Sequence, residues 1–259
     1  MKFSICADIM YGNMDFPDKI RNIKKNGFDT FEFWKWSNKN IDEIKNIIND
    51  LEMNVSCFCI DSKDDYKMNS IGNYMLNSDK TQMLCDITLQ SIETAHKLGA
   101  KALIATVGDC IENLSYDEQT ANVLKNIDVI KKLFEQNKMT LLVEPINRME
   151  REKYLMPNAK QIAQIVSEIN SPYVKILYDI YHQNMEDDFN ITEMIDILSL
   201  IGHIHIADCP GRNEPGTGTV NYRKIFDALK ENNYNGFVGA EFVPSASEES
   251  AFKILKKLS

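Results

Sequence analysis

Short apolar runs alternate with longer amphipathic runs along the chain, and this alternation occurs eight times. The apolar runs have the lengths of buried strands, and the amphipathic runs have the lengths of helices. The eight predicted strands span residues 2–8, 29–34, 53–60, 102–108, 140–146, 174–180, 203–208 and 236–243.

The amphipathic runs predict a helix after each strand. Ile41, Ile44, Ile47 and Ile48 recur at the spacing of one helix face, and glycines such as Gly99 stand where helices end. The predicted helices span residues 18–27, 40–52, 79–98, 116–136, 158–169, 191–200, 222–232 and 246–258.

Eight strand–helix units in one chain predict an α/β fold of the (β/α)₈ TIM barrel type, with residues 1–259 as a single domain. A doubly wound sheet is the alternative, but no glycine-rich GxGxxG turn follows the first strand, and the sequence contains no P-loop. Residues 61–78 are polar and irregular, and they follow the third strand at the expected carboxyl rim. This segment is either a substrate lid or a surface loop.

The composition narrows the class of protein. The 259 residues are 44% hydrophobic, which suffices for one large core, and the net charge is −9. An acidic chain argues against binding to nucleic acid or to an anionic membrane. The six cysteines form no CxxC pair, no apolar run approaches the ~18 residues of a membrane span, and the N-terminal apolar run is too short for a signal peptide. These features predict a cytoplasmic protein.

Four potential metal ligands lie near the carboxyl ends of four consecutive predicted strands. Glu144, Asp179, His205 and Glu241 are separated by about one strand–helix unit each, and a barrel gathers the carboxyl ends of its strands at one face. Three carboxylates and an imidazole so close together require a counter-charge. The donor set predicts one divalent metal ion, Mn²⁺, Mg²⁺ or Co²⁺, and it is also compatible with Zn²⁺.

The two histidines of the seventh strand share one face because they are two residues apart. His205 lies nearer the rim and is the predicted ligand. His203 lies one layer deeper, where we expect it to support the site through hydrogen bonds.

Four further residues are predicted to contact the substrate. His182 is expected in a loop above the metal, and Arg212 is expected to bind an anionic oxygen or, alternatively, to pair with Glu214. Trp34 is a candidate wall for the substrate, with core packing as the alternative. Glu32 shares the inward parity of Trp34 and is expected to orient His182 or substrate hydroxyls.

Several segments resemble one known family. LLVEPINR, YDIYHQN, GHIHIADCPGRNEPGTGTVNY and GFVGAEFVP are similar to segments of the hydroxypyruvate isomerase family, which belongs to the xylose-isomerase-like TIM barrels together with ketose 3-epimerases and endonuclease IV. The resemblance implies that Glu144, Asp179, His205 and Glu241 hold one divalent metal and that Glu144 and Glu241 transfer the proton. Typical hydroxypyruvate isomerases have glutamine at the position of His205, whereas ketose epimerases have histidine.

These features predict a metal-dependent isomerase that moves a proton through an enediolate of a small hydroxy-carbonyl compound, such as hydroxypyruvate, a related 2-oxo acid or a tetrulose. A ketose 3-epimerase acting on an unphosphorylated sugar is the alternative. An endonuclease IV-like phosphodiesterase is disfavoured because the chain has four histidines, and a sugar-binding barrel without activity is a further alternative. The backbone of residues 216–218 could bind a phosphate, although the nearby carboxylates favour an unphosphorylated substrate. The resemblance leaves a homo-oligomer open.

Overall fold

Eight parallel strands close into a barrel in the order of the sequence, as the alternating pattern predicts. The computed structural model describes residues 1–64, 74–187 and 189–258. The strands are β1 (Lys2–Cys6), β2 (Thr30–Phe33), β3 (Asn54–Cys59), β4 (Ala102–Thr106), β5 (Thr140–Glu144), β6 (Val174–Asp179), β7 (Ile201–Ile206) and β8 (Phe237–Ala240).

Helices connect the strands around the outside of the barrel. They are α1 (Phe16–Lys25), α2 (Ile41–Leu51), α3 (Thr81–Leu98), α4 (Tyr116–Asn137), α5 (Ala159–Ile169), α6 (Ile180–Met185), α7 (Ile191–Asp196), α8 (Tyr222–Glu231) and α9 (Glu248–Leu258). Short 3₁₀ turns at Ser78–Lys80 and Leu198–Leu200 shorten two of the predicted helices. No helix in the described ranges is both long and apolar enough to cross a membrane.

Local sequence signals fix where the helices begin and end. Ser115 and Glu118 form a reciprocal capping box at the start of α4, which satisfies backbone N–H groups that have no partner within the helix. Gly99 ends α3 with a φ of 80°, a conformation that costs other residues more than glycine.

The barrel interior below the rim is packed. The inward side chains Cys57, Ile104, Leu142 and Leu177 form one buried cluster in the middle of the barrel, while a larger core lies between the strands and the helices. Each of these four residues lies two positions before the last inward residue of its strand. The apolar cluster therefore forms a rigid floor under the residues that end the strands.

The irregular segment at residues 61–78 is anchored at both ends. Asp61 is buried at one end. At the other end, the Asn126 side-chain amide donates to the carbonyl oxygens of Tyr74 (2.9 Å) and Met75 (3.0 Å). The lid prediction falls mainly on residues 65–73, which lie outside the described residues.

Candidate active site

The structure brings together the four predicted ligand side chains at the carboxyl rim. Glu144, Asp179, His205 and Glu241 are all buried, and each offers one ligand atom within 4.8 Å of the others. The Nδ1 atom of His205 lies 3.6 Å from Glu144 Oε1, 3.9 Å from Asp179 Oδ2 and 3.5 Å from Glu241 Oε2. One imidazole nitrogen thus faces three carboxylates.

This arrangement fits a divalent cation. Both ring nitrogens of His205 are buried without an aligned hydrogen-bond partner among the described residues, and a buried nitrogen in that condition is costly unless something binds it. Three carboxylate oxygens and one imidazole nitrogen are a donor set that suits Mn²⁺, Mg²⁺ or Co²⁺.

The two glutamates of the cluster have opposite pKa shifts. Burial raises the pKa of Glu144 above its ordinary value. Burial also raises the pKa of Glu241, but the His205 imidazole and the Arg212 guanidinium outweigh it and bring that pKa down to about 2. A bound cation would favour the ionised form of both carboxyl groups.

Trp34 lies at the rim and contacts Glu241 directly. Its indole Nε1 donates to Glu241 Oε1 at 2.6 Å, and its backbone N–H donates to Asp8 Oδ2 at 2.7 Å. The side chain is 38% exposed, so core packing, the alternative considered for Trp34, is wrong. The indole is instead available as a wall of the site.

Arg212 binds the other oxygen of Glu241. Its Nη2 donates to Glu241 Oε2 at 2.7 Å, and its Nη1 contacts both oxygens of Glu150 at 2.8 and 2.9 Å. The guanidinium also lies over the Tyr181 ring, 5.0 Å from its centroid. Burial lowers the pKa of Arg212, but the surrounding carboxylates, with Glu241 foremost, raise it overall. Arg212 is therefore a fixed positive charge beside the ligand cluster.

The loop after β7 is held by two buried carboxylates. Asp208 accepts backbone N–H bonds from Cys209, Gly216 and Val220. Glu214 accepts from the backbone N–H and the hydroxyl of Ser245.

One alternative raised by the sequence fails in this loop. Ser245 donates to both oxygens of Glu214, so the alternative pairing of Glu214 with Arg212 is wrong. Two of the three N–H groups of residues 216–218, those of Gly216 and Thr217, donate to Asp208 and to the Glu214 carbonyl, so those two are not available to bind a phosphate.

His182 lies in helix α6 and not in a loop, which corrects the prediction. The Asp179 carboxylate caps this helix by accepting from the backbone N–H groups of Tyr181 and His182, so the helix starts directly after β6. His182 Nδ1 is 2.6 Å from the Asn147 side-chain amide, and Nε2 is 3.5 Å from Asp179 Oδ2. The imidazole therefore lies beside the ligand cluster, as the sequence predicts.

Glu32 lies beneath the ligand cluster and does not contact His182, so that predicted pairing is wrong. Its Oε2 is 3.0 Å from His203 Nε2, and its Oε1 is 2.7 Å from His205 Nε2. The two imidazole rings are nearly perpendicular, with centroids 5.1 Å apart. His203 thus occupies the deeper, supporting position.

Sequence reasoning missed several residues that shape the site. Asp8 follows β1 and could have been found by the same strand-end rule that identified Glu144. Asn147, Glu150 and Tyr181 reach the site from loops and from a helix start, where no periodic signal marks them.

A cavity of about 170 Å³ opens beside the ligand cluster. Its walls come from the side of the barrel formed by β2 to β4, and Thr106 in the wall is the register partner of Glu144. The described lining residues are mainly apolar: Trp34, Lys35, Cys59, Ile60, Asp61, Met75, Leu84, Ile87, Ile104, Ala105 and Thr106.

The fold and the site together define a (β/α)₈ barrel whose strands β5 to β8 present three carboxylates and one imidazole within reach of a single ion. Residues 20–258 match the family model of the xylose isomerase-like TIM barrel. The chain therefore belongs to the xylose isomerase-like TIM barrel family.

Relatives over nearly the whole chain are named as isomerases. The chain is 27% identical over 254 residues to the hydroxypyruvate isomerase of Escherichia coli strain K12, which covers 98% of this chain and 97% of that protein. It is 26% identical to the 2-oxo-tetronate isomerase of Haemophilus influenzae, over 94% and 93% of the two chains. The prediction that the chain is an isomerase is confirmed as a general class of enzyme.

The fold is also found in a solved structure, the family 2 AP endonuclease from Brucella melitensis. The TM-score is 0.91 at 23% identity, and the match covers 99% of this chain and 98% of that chain. At this identity the likeness concerns the fold alone.

Proposed function

We propose that the chain is a divalent-metal-dependent isomerase of a small, unphosphorylated hydroxy-carbonyl compound, of the hydroxypyruvate, 2-oxo acid or tetrulose type. The observation that carries the proposal is the buried cluster in which His205 Nδ1 faces the oxygens of Glu144, Asp179 and Glu241. The names of the hydroxypyruvate and 2-oxo-tetronate isomerase relatives support the same substrate class.

The metal would be held by Glu144, Asp179, His205 and Glu241. When bound, a divalent cation polarises a carbonyl and stabilises negative charge on neighbouring oxygens of the substrate. Arg212 adds a fixed positive charge on the same side, since it contacts Glu241 at 2.7 Å.

Glu144 and Glu241 are the proposed proton-transfer pair. Glu144 is the last residue of β5, and Glu241 directly follows β8. Strands β6 and β7 separate them around the rim, so the two carboxylates can lie on opposite sides of a substrate. One carboxylate removes the proton next to the carbonyl, which leaves an enediolate. Return of the proton to the neighbouring carbon completes an isomerisation, and return to the opposite face of the same carbon gives an epimer.

The mainly apolar cavity beside the ligand cluster suits a substrate whose part away from the metal is short and uncharged. A cavity of about 150 Å³ is known to hold a benzene molecule, so the 170 Å³ cavity beside Trp34 has room for about six heavy atoms. Two of the three loop N–H groups that could hold a phosphate, those of Gly216 and Thr217, are engaged by Asp208 and the Glu214 carbonyl.

A second candidate function is epimerisation of an unphosphorylated ketose. One observation favours it: the position that is glutamine in typical hydroxypyruvate isomerases is His205. A curated relative named 3-dehydro-D-guloside 4-epimerase, from Escherichia coli strain K12, is 26% identical over 85% of this chain.

The cysteines bear on the compartment of the protein. All six are free thiols, which suits a reducing compartment, and we propose that the protein is cytoplasmic. Its proposed binding partner is the small-molecule substrate.

Proton exchange with solvent tests the proposal. The Mn²⁺-treated protein is incubated in D₂O with hydroxypyruvate, tetruloses and ketohexoses, and deuterium at the carbon next to the carbonyl is followed by NMR. An isomerase or epimerase incorporates deuterium into one of these compounds. Absence of exchange in all of them contradicts the proposal.

Variants of the proton-transfer pair extend the test. Glu241→Gln and Glu144→Gln each abolish turnover at saturating Mn²⁺, because an amide cannot accept and return the proton. Glu112→Gln is the control, since that residue pairs with Lys153 at an exposed position. Full turnover in Glu241→Gln excludes Glu241 from the reaction.

A further inference from the structure

Beneath the ligand cluster lies a buried group that the proposed reaction does not use. Glu32, His203 and His205 place their polar atoms within 4.8 Å of one another, and all three side chains are buried. The Glu32 carboxylate is 2% exposed and contacts His203, His205 and Ser56. A buried carboxylate is costly unless it is paired, so these contacts call for a role of Glu32 in the protein itself.

We infer that Glu32 is the positioning residue that makes His205 a metal ligand. The inference rests on the proposed function, since it concerns the same metal. Glu32 Oε1 lies 2.7 Å from His205 Nε2, and the opposite ring nitrogen, Nδ1, faces the three carboxylates of the cluster. Glu32 thus acts through His205 and touches neither the metal nor the substrate.

The chemistry of imidazole explains why such a partner is needed. A ligating nitrogen must present a lone pair, so the ring proton has to be on the other nitrogen. Three carboxylates around Nδ1 would instead draw a proton to that atom and convert a ligand into a hydrogen-bond donor. Glu32 Oε1 is 2.7 Å from Nε2 without hydrogen-bond alignment, so Glu32 acts as a close negative charge that favours the proton at Nε2 and leaves the Nδ1 lone pair for the metal.

Glu32 is itself held from the other side. Its Oε2 is 3.0 Å from His203 Nε2 and accepts from the Ser56 hydroxyl at 3.1 Å. Ser56 in turn lies 2.6 Å from the Ser4 hydroxyl. These contacts come from β1, β3 and β7, and they fix the carboxylate so that Oε1 points at His205. The chain of contacts gives His203 a defined role as a support for Glu32.

The barrel also provides the space that this arrangement needs. Gly239 on β8 is the register partner of His205. A Cβ atom at that position would lie 2.5 Å from Glu32 Oε1, 2.6 Å from His205 Cδ2 and 2.8 Å from His203 Nε2. Any side chain there would separate Glu32 from the two histidines.

Metal titration tests the inference without relying on turnover. Metal-free wild type, Glu32→Gln and the control Glu112→Gln are titrated with Mn²⁺ by calorimetry, and the Mn²⁺-induced rise in melting temperature is recorded for each. Glu32→Gln keeps the size of the side chain and removes its charge, so its Mn²⁺ affinity falls about 10–100-fold. Glu112→Gln makes the same change at an exposed residue that pairs with Lys153, so its affinity stays at the wild-type value.

The outcomes separate the inference from the proposed function. Mn²⁺ binding by Glu32→Gln at wild-type affinity overturns the positioning role and leaves the proposed function standing. Failure of wild type to bind Mn²⁺, Mg²⁺, Co²⁺ or Zn²⁺ overturns both.

A measurement on wild type covers the case in which Glu32→Gln does not fold. A crystal structure of the Mn²⁺-loaded protein is expected to show His205 bound through Nδ1, with Nε2 hydrogen-bonded to Glu32. Coordination through Nε2, or a Glu32 carboxylate turned away from His205, overturns the inference.

Discussion

Gly239→Ala adds a single methyl group at the point where the proposed metal ligand His205 and its proposed support Glu32 meet. The new Cβ would lie 2.5–2.8 Å from atoms of Glu32, His205 and His203. Ordinary contacts between such atoms are about 3.5 Å, so each neighbour has to retreat by roughly 0.5–1 Å. The neighbours are buried side chains in a packed barrel, which leaves them little room to move.

The cost has two parts. Overpacking of this kind lowers the free energy of unfolding by about 1–3 kcal/mol, which corresponds to a fall in Tm of roughly 2–10 °C for a domain of this size. Displacement of His205 from its support also weakens metal binding, by about tenfold or more. We therefore expect Gly239→Ala to be moderately less stable and to show little rise in Tm when Mn²⁺ is added.

Gly202→Ala is the matched control. A Cβ there would lie 2.8 Å from Leu142 Cδ2 and 2.8 Å from Lys175 Cβ, at the opposite end of β7 from His205. This variant should lose comparable stability and keep wild-type Mn²⁺ affinity in calorimetry. Equal Mn²⁺ affinity in the two variants would refute the reasoning, because it would show that the contacts around Gly239 do not position His205.

Three further predictions concern the residues that contact Glu241 and Glu144 and the requirement for a metal. Trp34→Phe removes the indole donor to Glu241, a hydrogen bond to a charged group worth about 1.5–3 kcal/mol. We expect kcat for proton exchange to fall about 10–150-fold; an unchanged kcat would show that this bond does not matter in turnover. Tyr154→Phe removes the hydroxyl that donates to the Glu144 carbonyl at 2.8 Å, and urea denaturation should show a loss of about 1–2 kcal/mol. Dialysis against a chelator abolishes exchange and lowers Tm, and Mn²⁺ restores both; activity that survives chelation would contradict a metal requirement.

The strand-end positions were predictable because a parallel barrel imposes one direction on all of its strands. Once eight strands are identified, the residue that ends each strand must lie at the same rim, and inward and outward side chains alternate. Glu144, Asp179, His205 and Glu241 follow from these two rules alone. The sequence pattern is enough to predict these four positions because the same strand–helix unit recurs around the barrel.

Depth along the barrel and contacts between loops could not be predicted in this way. Glu32 has the inward parity that the sequence indicates, but its depth depends on the stagger between strands, which no residue pattern records. Its partners His203 and His205 are on a strand more than 170 positions away. Arg212 reaches Glu150 across 62 positions, and the choice of Glu150 over the nearer Glu214 is made by the fold of the loop.

The distribution of the site around the rim also explains the assignment of the proton-transfer pair. All four proposed ligands are on β5 to β8, and the cavity lies on the opposite side, against β2 to β4. Glu144 and Glu241 are at the two ends of this arc: Glu144 adjoins the cavity wall through Thr106, and Glu241 contacts Trp34. The Asp179 carboxylate lies in the middle of the arc and also caps helix α6. We therefore expect a substrate in the cavity to meet the two glutamates on either side, with the aspartate as a ligand of the proposed metal.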